Sequence, residues 1–208
     1  MFNNEKKLTL WTIQTSNFYD QMQKTGVIRT NIELSNLYDD FFYEYNWMAD
    51  QMRQRIGKPN NETTILPIWA WYQWDGKRKK RDLRASGLGK KGTKMVQIEF
   101  EIFPNQVLLS DFDAWHVVLN NGYLGDTDEE DTNFYNKYQG INILDKNLCT
   151  DTKANEMLMK MKKSWEKIFD LDKCIKMGFA TNDTQSIQAT FWELKAEWVH
   201  KIDFFTAR

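Results

Sequence analysis

The sequence contains an uncharged run, Ile65 to Trp74, that carries three of the nine tryptophans in the chain. Pro67 has no backbone N–H to donate, so a strand in this run is expected to begin after it. Alternation along that strand places Trp69 and Trp71 on one face and the other apolar side chains on the opposite face, namely Ile68, Ala70, Tyr72 and Trp74. A strand that is apolar on both faces is typical of a central strand covered on each side. The run therefore predicts a sheet with layers on both faces, unless one face is open to bind a flat ligand.

The remaining pattern favours an α+β fold. Apolar spacings of three and four over 37–56 and 155–169 predict two amphipathic helices, and shorter helices are expected after Ser16 and Ser110. Strand-type patterns occur at 8–13, 68–74, 95–103, 107–109, 187–194 and 199–205. Because strands and helices neither alternate strictly nor segregate, we expect one mixed, mainly antiparallel sheet of about six strands with three or four helices packed on it. The length of 208 residues fits a single domain, 1–208.

Two charged segments of opposite sign interrupt this pattern. Between Lys77 and Lys94, nine basic residues and several glycines stand against one acid, Asp82, which predicts a flexible basic loop at 75–94. Five acids lie between Asp126 and Asp131, which predicts an acidic loop at 125–133. The two loops either remain solvated or pair with each other.

Composition argues against several classes of protein. The net charge of −1 provides no global field for nucleic acid or membrane, and no apolar run approaches the roughly 18 residues of a membrane span. Residues 1–10 lack the apolar core of a signal peptide. With two cysteines, Cys149 and Cys174, and two histidines, His116 and His200, neither a disulfide framework nor a His/Cys metal site is expected. The chain is therefore expected to be cytoplasmic.

Three polar side chains fall within apolar strand patterns. Gln14 follows the first strand, and Gln188 and Glu193 lie in the segment 187–194. A buried amide or carboxylate needs hydrogen-bonding or charged partners, and such groups concentrate at working sites. The alternative is an exposed edge position or, for Glu193, a salt bridge to a lysine.

The aromatic run and the basic loop together suggest an anion site. If their face is open, Trp69 and Trp71 could stack on a nucleobase or nicotinamide ring, a contact worth about 1–3 kcal/mol per ring. The segment Lys77–Lys94 could hold the attached phosphates of a nucleotide or nucleic acid. The alternative is that the tryptophans pack in the core and the loop is solvated.

Five blocks of the sequence resemble the signature of a bacterial family catalogued as a domain of unknown function, the one numbered 3841. The blocks are Leu10–Gln14, Pro67–Tyr72, Asp82–Arg84, Leu108–Phe112 with Trp115-His116, and Ser186–Leu194. The resemblance spans nearly the whole chain. It implies a single-domain protein and brings no established activity.

The start of the chain also resembles ADP-ribosyltransferase-like folds. Those folds open with a strand, a short helix and a glycine, as residues 8–26 do here, and they end with a strand that bears a catalytic Glu, often with a Gln or Glu two residues earlier. The resemblance implies that 187–194 is this strand, with Glu193 and Gln188 as catalytic residues. In this chain the two are five positions apart, and Thr12 or Gln14 stands where those folds carry an Arg or His.

Two functional hypotheses follow. The first is an NAD-using, ADP-ribosyltransferase-like enzyme acting on a nucleic acid or protein, in which Glu193 stabilises the oxocarbenium-like cation at the breaking glycosidic bond. The residues assigned to the amide, ribose, nicotinamide ring and phosphate of NAD are Thr12, Gln14, Trp69, Trp71, Tyr72 and Arg84. The second is a non-catalytic nucleic-acid- or nucleotide-binding module, with an aromatic cage and the basic loop.

Overall fold

The computed structural model describes residues 6–30, 41–61, 66–141 and 151–208. It divides into two compact units, one of Met1–Leu109 with Ser186–Arg208 and one of Ser110–Gln185. The strands are β1 Leu8–Thr15, β2 Val27–Arg29, β3 Ile68–Gln73, β4 Lys94–Ile102, β5 Leu108–Asp111, β6 Ile187–Phe191, β7 Glu193–Lys195 and β8 Val199–Thr206. The helices are α1 Ser16–Thr25, α2 Phe42–Arg55, α3 Phe112–Leu119, α4 Asp128–Lys137, α5 Thr152–Trp165 and α6 Leu171–Lys176.

The main sheet has six strands in the order β5-β6-β3-β1-β4-β8, and β2 pairs with β7 in a separate two-stranded sheet. The ladders that join β3 to β6, β1 to β3 and β4, and β4 to β8 are all antiparallel. The α+β class and the sheet of about six strands are therefore confirmed. The described residues form six α-helices rather than three or four, because α4 and α6 were not expected.

One face of the main sheet carries the apolar core of the first unit. Leu10 of β1 lies opposite Phe100 of β4, and both pack in a cluster with Phe18 and Met22 of α1. Helix α1 follows β1 directly, because the Thr15 side chain accepts a hydrogen bond from the Phe18 N–H and so caps the helix. The helix ends at Gly26, whose φ of 74° lies in the left-handed region that favours glycine.

The opposite face of the sheet is covered at one end by α2. Tyr45 of this helix contacts the Trp69 ring with centroids 5.8 Å apart, and Met48 accepts a weak hydrogen bond from Thr190 of β6. Ile68 and Ala70 point into the core on the other face, where they are 1% and 3% exposed. The expectation of a central strand with layers on both faces is confirmed for β3. Residues 31–40 and Ile65 lie outside the described residues, so the expected start of the helix at 37 is not described.

The segment 187–194 does not form the single strand that the sequence predicts. The chain bends at Trp192, whose indole N–H donates to the Gly57 carbonyl at 2.8 Å, and the residues on either side belong to different sheets. Gln188 lies in β6 of the main sheet, whereas Glu193 lies opposite Arg29 of β2 in the small sheet. The apolar residues fall at 187, 189 and 191 and then at 192 and 194, so the alternation changes phase at Phe191-Trp192, where the chain bends.

In the second unit, the acidic run is a helix start rather than a loop. From Asp128 onwards the acids form the first turn of α4, and the Thr127 side chain caps this turn by accepting from the Glu130 N–H at 3.2 Å. Four acids in a first turn suit the positive end of the helix dipole. Further along this unit, Trp165 at the end of α5 is fully buried and donates its indole N–H to the Gly122 carbonyl at 2.7 Å.

The basic segment between β3 and β4 has no helix or strand of its own beyond one short bridge between Trp74 and Lys77. It lies across the face of the sheet opposite the α1 core, because the Gln97 side chain donates to the Arg81 carbonyl at 3.4 Å. Lys80 reaches Asp203 on the neighbouring strand β8 at 2.6 Å. Within the described ranges, no helix has both the length and the apolar character needed to cross a membrane.

Candidate functional site

Thr12, Gln14 and Trp69, three of the residues predicted to hold NAD, are linked by hydrogen bonds. The Thr12 hydroxyl is fully buried, donates to the Trp69 carbonyl at 2.7 Å and accepts from the Gln14 amide at 2.8 Å. The partners that a polar group in an apolar strand requires are thus provided within the protein. This chain of hydrogen bonds ties β1 to β3.

Trp69, Trp71 and Gln188 share the face of the sheet that α2 and the basic segment cover. Trp71 lies opposite Trp11 on β1 and Gln188 on β6, so these three side chains lie side by side across three strands. The Gln188 carbonyl oxygen is buried and has no hydrogen-bond partner among the described residues. Gln14, two positions after Thr12, belongs to the opposite face.

Two arginines of the basic segment lie over the aromatic side chains of the strands, and we call Arg78 and Arg81 the arginine clasp. The Arg78 guanidinium lies 3.6 Å from the Tyr72 ring centroid and 5.3 Å from that of Trp11. It also donates to the Thr9 carbonyl at 2.7 Å. Through these contacts Arg78 holds the segment against β1 and β3.

The second arginine of the clasp packs against two tryptophans. Arg81 lies 3.3 Å from the Trp74 centroid and 5.3 Å from that of Trp71, and the two indoles meet edge to face at 4.7 Å. Burial lowers the pKa of the Arg81 guanidinium, and burial likewise lowers that of Arg78. Of the aromatic rings predicted as a ligand cage, Trp71 and Tyr72 are therefore in contact with cations of the protein itself, whereas Trp69 contacts Tyr45.

Arg84 is separate from this aromatic cluster. Its side chain is 80% exposed and makes a bidentate ion pair with Asp82, with the shortest contact at 2.7 Å. The hydrogen bonds from Arg84 hold the pKa of the Asp82 carboxyl well below its usual value. The pairing commits Arg84 to a local turn, since the Asp82 carboxylate also accepts from the Arg84 backbone N–H.

Glu193 lies at the centre of a different group of polar side chains. The residue is only 7% exposed, and its carboxylate accepts a hydrogen bond from Arg29 at 2.5 Å. Asn60 donates to the same carboxylate at 3.4 Å, and the Lys195 ammonium lies 3.7 Å away. The sequence alternative of a salt bridge to a lysine is therefore partly correct, but the closer partner is Arg29 on β2.

A cavity of about 130 Å³ opens beside this carboxylate, and we call it the Glu193 cavity. It is bounded by aromatic, polar and apolar side chains from the α2 end, β4, the following turn, and β6 to β8: Ile56, Lys58, Pro59, Asn60, Ile102, Gln106, Phe191, Trp192, Glu193 and Trp198. Cations approach both indoles, with Arg53 at 5.6 Å from the Trp192 ring and Lys195 at 5.1 Å from that of Trp198. The result is a small aromatic recess with one carboxylate and several positive charges around it.

The residues predicted from sequence do not converge on this cavity. Glu193 lines it. Thr12 and Gln14 lie in the main sheet and are hydrogen-bonded there, and Trp71 and Tyr72 of β3 contact the arginine clasp. Arg29, Asn60 and Trp198 were missed. The sequence offers one local signal for the cavity, which is that two tryptophans, Trp192 and Trp198, lie on either side of Glu193. Arg29 is 164 positions away from Glu193, and no local pattern marks it.

Groups of His, Cys, Asp or Glu suited to hold a metal ion do not occur in the part of the chain that the structure describes. Cys174, in the second unit, is 1% exposed, and burial raises the pKa of its thiol to about 12. Such a thiol is a packed side chain rather than a nucleophile. Cys149 lies outside the described residues.

Comparison with known proteins gives one match. The model of a family described as "Domain of unknown function (DUF3841)" matches residues 9–200. No curated protein and no solved structure matches the chain. The matched range includes every residue of the Glu193 cavity and of the arginine clasp.

Proposed function

Since the chain belongs to the family described as Domain of unknown function (DUF3841), whose description names no activity, we propose a function from the Glu193 cavity. We propose that this cavity receives the nicotinamide end of NAD and that the protein transfers ADP-ribose to a nucleic acid or protein. The observation that carries the proposal is a buried carboxylate, fixed by Arg29, on the wall of a ring-sized aromatic recess.

The size of the cavity fits one planar ring. Its volume is about 130 Å³, and an apolar protein cavity of roughly 150 Å³ takes up a benzene molecule. Trp192 and Trp198 line the cavity and supply flat surfaces on which such a ring could stack. The rest of the dinucleotide would remain outside the cavity.

The charges around the cavity suit the pyrophosphate of a dinucleotide. Lys58 lines the cavity, is exposed, and has no ion-pair partner among the residues that the structure describes. Lys195 adds a second cation at the Glu193 side. A lysine is a common phosphate ligand because its ammonium acts as a compact point charge.

The proposed chemistry is glycosyl transfer. The bond between C1′ of the ribose and the pyridinium nitrogen breaks, and nicotinamide leaves as a neutral molecule with the bonding electrons. An acceptor oxygen or nitrogen forms the new bond to C1′ and loses a proton to solvent. Glu193 stabilises the positive charge that develops on the ribose, as carboxylates do at other breaking glycosidic bonds. The roles assigned above to Gln188, Arg84 and the strand aromatics stay predictions, and none of these side chains lines the cavity.

The proposal is tested by measuring binding and nicotinamide release separately. Calorimetry should detect binding of NAD and of free nicotinamide, and chromatography should detect nicotinamide released from NAD in the presence of oligonucleotide or protein acceptors. Glu193→Gln keeps the shape of the side chain, so NAD binding is expected to persist while release falls by about 100-fold or more. Lys58→Gln is expected to weaken NAD binding several-fold and to leave nicotinamide binding unchanged.

The matched control is Glu197→Gln, an exposed carboxylate four positions later that should leave binding and release unchanged. Circular dichroism of each variant checks that the fold is retained. Absence of both NAD binding and nicotinamide release in the wild-type protein would exclude the proposal. Equal loss of release in the two Glu variants would exclude the role of Glu193.

A second candidate function is a non-catalytic nucleic-acid-binding module. The observation that favours it is a set of exposed lysines in the basic segment that have no ion-pair partner among the described residues. Nucleic acid is then the ligand itself rather than an acceptor. In either case we propose a cytoplasmic location, which the free thiol of Cys174 supports.

A further inference from the structure

The nine cations between Lys77 and Lys94 divide into two groups by their contacts. Four are engaged with the protein: Arg78 and Arg81 in the clasp, Lys80 with Asp203 and Arg84 with Asp82. The other five are exposed and form no ion pair within the described ranges. We call them the lysine surface: Lys77, Lys79, Lys90, Lys91 and Lys94.

The segment that carries the lysine surface is fixed to the sheet at both ends. At the start, Trp74 and Lys77 exchange two backbone hydrogen bonds of 3.0 and 3.1 Å. At the end, Gly92 donates to the Ala207 carbonyl at 2.9 Å, and Ala207 donates to that of Thr93 at 3.0 Å. The clasp holds residues 78–81, and the Thr93 N–H donates to the Lys90 carbonyl at 3.0 Å. A ligand that binds the lysines therefore meets backbone that is already ordered at both ends of the segment.

We propose that the lysine surface binds the phosphate backbone of nucleic acid without reading its bases. Uncompensated lysines attract successive phosphates and release their counterions, which is the sequence-independent part of nucleic-acid affinity. Base stacking would need open aromatic faces, and in this structure Arg78 and Arg81 lie over those rings. This inference rests on the second candidate function, the nucleic-acid-binding module, and does not depend on the Glu193 cavity.

The surface lacks the features of a membrane contact. Membrane-surface segments combine basic residues with exposed apolar side chains that insert among the lipids. The large exposed apolar side chains in the described part of the chain are Phe42, Tyr43, Phe103, Tyr135, Met159 and Phe204, and none of them lies between 75 and 94. A purely ionic surface fits a hydrated polyphosphate strand better.

The test is the salt dependence of binding, followed by fluorescence anisotropy of labelled 20-nucleotide DNA and RNA, single-stranded and duplex, between 50 and 200 mM salt. If most of the five lysines contact phosphates, log K should fall with log salt with a slope of roughly −3 to −4. Lys77→Gln with Lys79→Gln should reduce the slope magnitude by about 1.4 on single strands and about 1.8 on duplex. Changing the base sequence should alter affinity less than threefold.

The matched control is Lys153→Gln with Lys176→Gln, which removes the same charge from exposed lysines of the second unit and should leave the slope unchanged. Undetectable or salt-insensitive binding, or an equal effect of the control pair, would overturn the proposal. So would equally tight binding to polyglutamate or to vesicles of 30% phosphatidylserine, which would assign the surface to an acidic protein or to a membrane. NAD binding is not measured in this assay, so its outcome is independent of the Glu193 cavity.

Discussion

Replacing Arg81 with alanine is expected to destabilise the protein by about 1–2 kcal/mol. A cation over an aromatic ring contributes about 0.5–1 kcal/mol when exposed and about 2 when desolvated. Arg81 lies 3.3 Å from the Trp74 centroid and also approaches Trp71, and the lowering of its pKa by burial indicates partial desolvation. Because the side chain is only half-buried, a loss above about 2 kcal/mol is not expected.

Urea and thermal unfolding followed by tryptophan fluorescence measure this change directly. For a domain of this size, 1–2 kcal/mol corresponds to a lowering of the Tm by roughly 2–8 °C. Arg81→Lys keeps the charge but not the planar guanidinium, so it should lie between wild type and alanine. The fluorescence of the folded state should also change, because the indole rings of Trp71 and Trp74 lose their cationic neighbour.

Arg84→Ala is the matched control within the same basic segment. Arg84 carries the same charge but is 80% exposed and pairs with Asp82 at the surface, where ion pairs contribute little. No shift of the unfolding midpoint is expected for this variant. The reasoning is refuted if Arg81→Ala leaves the midpoint unchanged or if Arg84→Ala lowers it by as much as Arg81→Ala does.

Two further predictions concern the second unit. Lys167 and Lys173 hold the pKa of Asp126 below its ordinary value of 3.8, so this contribution to stability is full above pH about 4 and is lost as the pH falls through the lowered pKa. Asp126→Asn should therefore flatten the decline of Tm between pH 5 and 2, and an unchanged decline would contradict the assignment. Since the pKa of Cys174 is raised to about 12, its thiol in a Cys149→Ser background should resist Ellman's reagent at pH 8 until denaturant is added. Rapid labelling of the folded variant would argue against burial.

The parity of the tryptophan run could be read from the sequence. Alternation along one strand is a local property, so it correctly places Ile68 and Ala70 on one face and Trp69 and Trp71 on the other. It is wrong for Trp74, predicted on the face of Ile68, because β3 ends at Gln73 and the Trp74 ring packs against that of Trp71. The β1 strand and the stop of α1 at Gly26 were predictable for the same reason, since each depends on residues within a few positions.

The only local sign of the bend at Trp192 is a change of phase, since the apolar residues fall at 187, 189 and 191 and then at 192 and 194. Such a change of phase also occurs at a β-bulge within one long strand, so it does not show that the residues on either side belong to different sheets. What separates Gln188 from Glu193 is the pairing of Glu193 with Arg29, a contact between positions far apart in sequence. The prediction of an acidic loop was wrong for another reason. Charge density favours a solvated loop, but the Thr127 cap and the helix dipole stabilise α4.

The arginine clasp argues against the hypothesis that a base stacks on the aromatic side chains of β3. For a base to stack on Trp71 or Tyr72, Arg81 or Arg78 would have to leave the ring. Stacking gains about 1–3 kcal/mol per base, whereas displacing a partly desolvated arginine loses about 1–2 kcal/mol and also breaks the Arg78 hydrogen bond to Thr9. The two amounts nearly cancel, so the rings offer little net affinity to a base. Phosphate contacts to the lysine surface displace no protein contact, which is why we assign the affinity for nucleic acid to the lysines and not to the tryptophans.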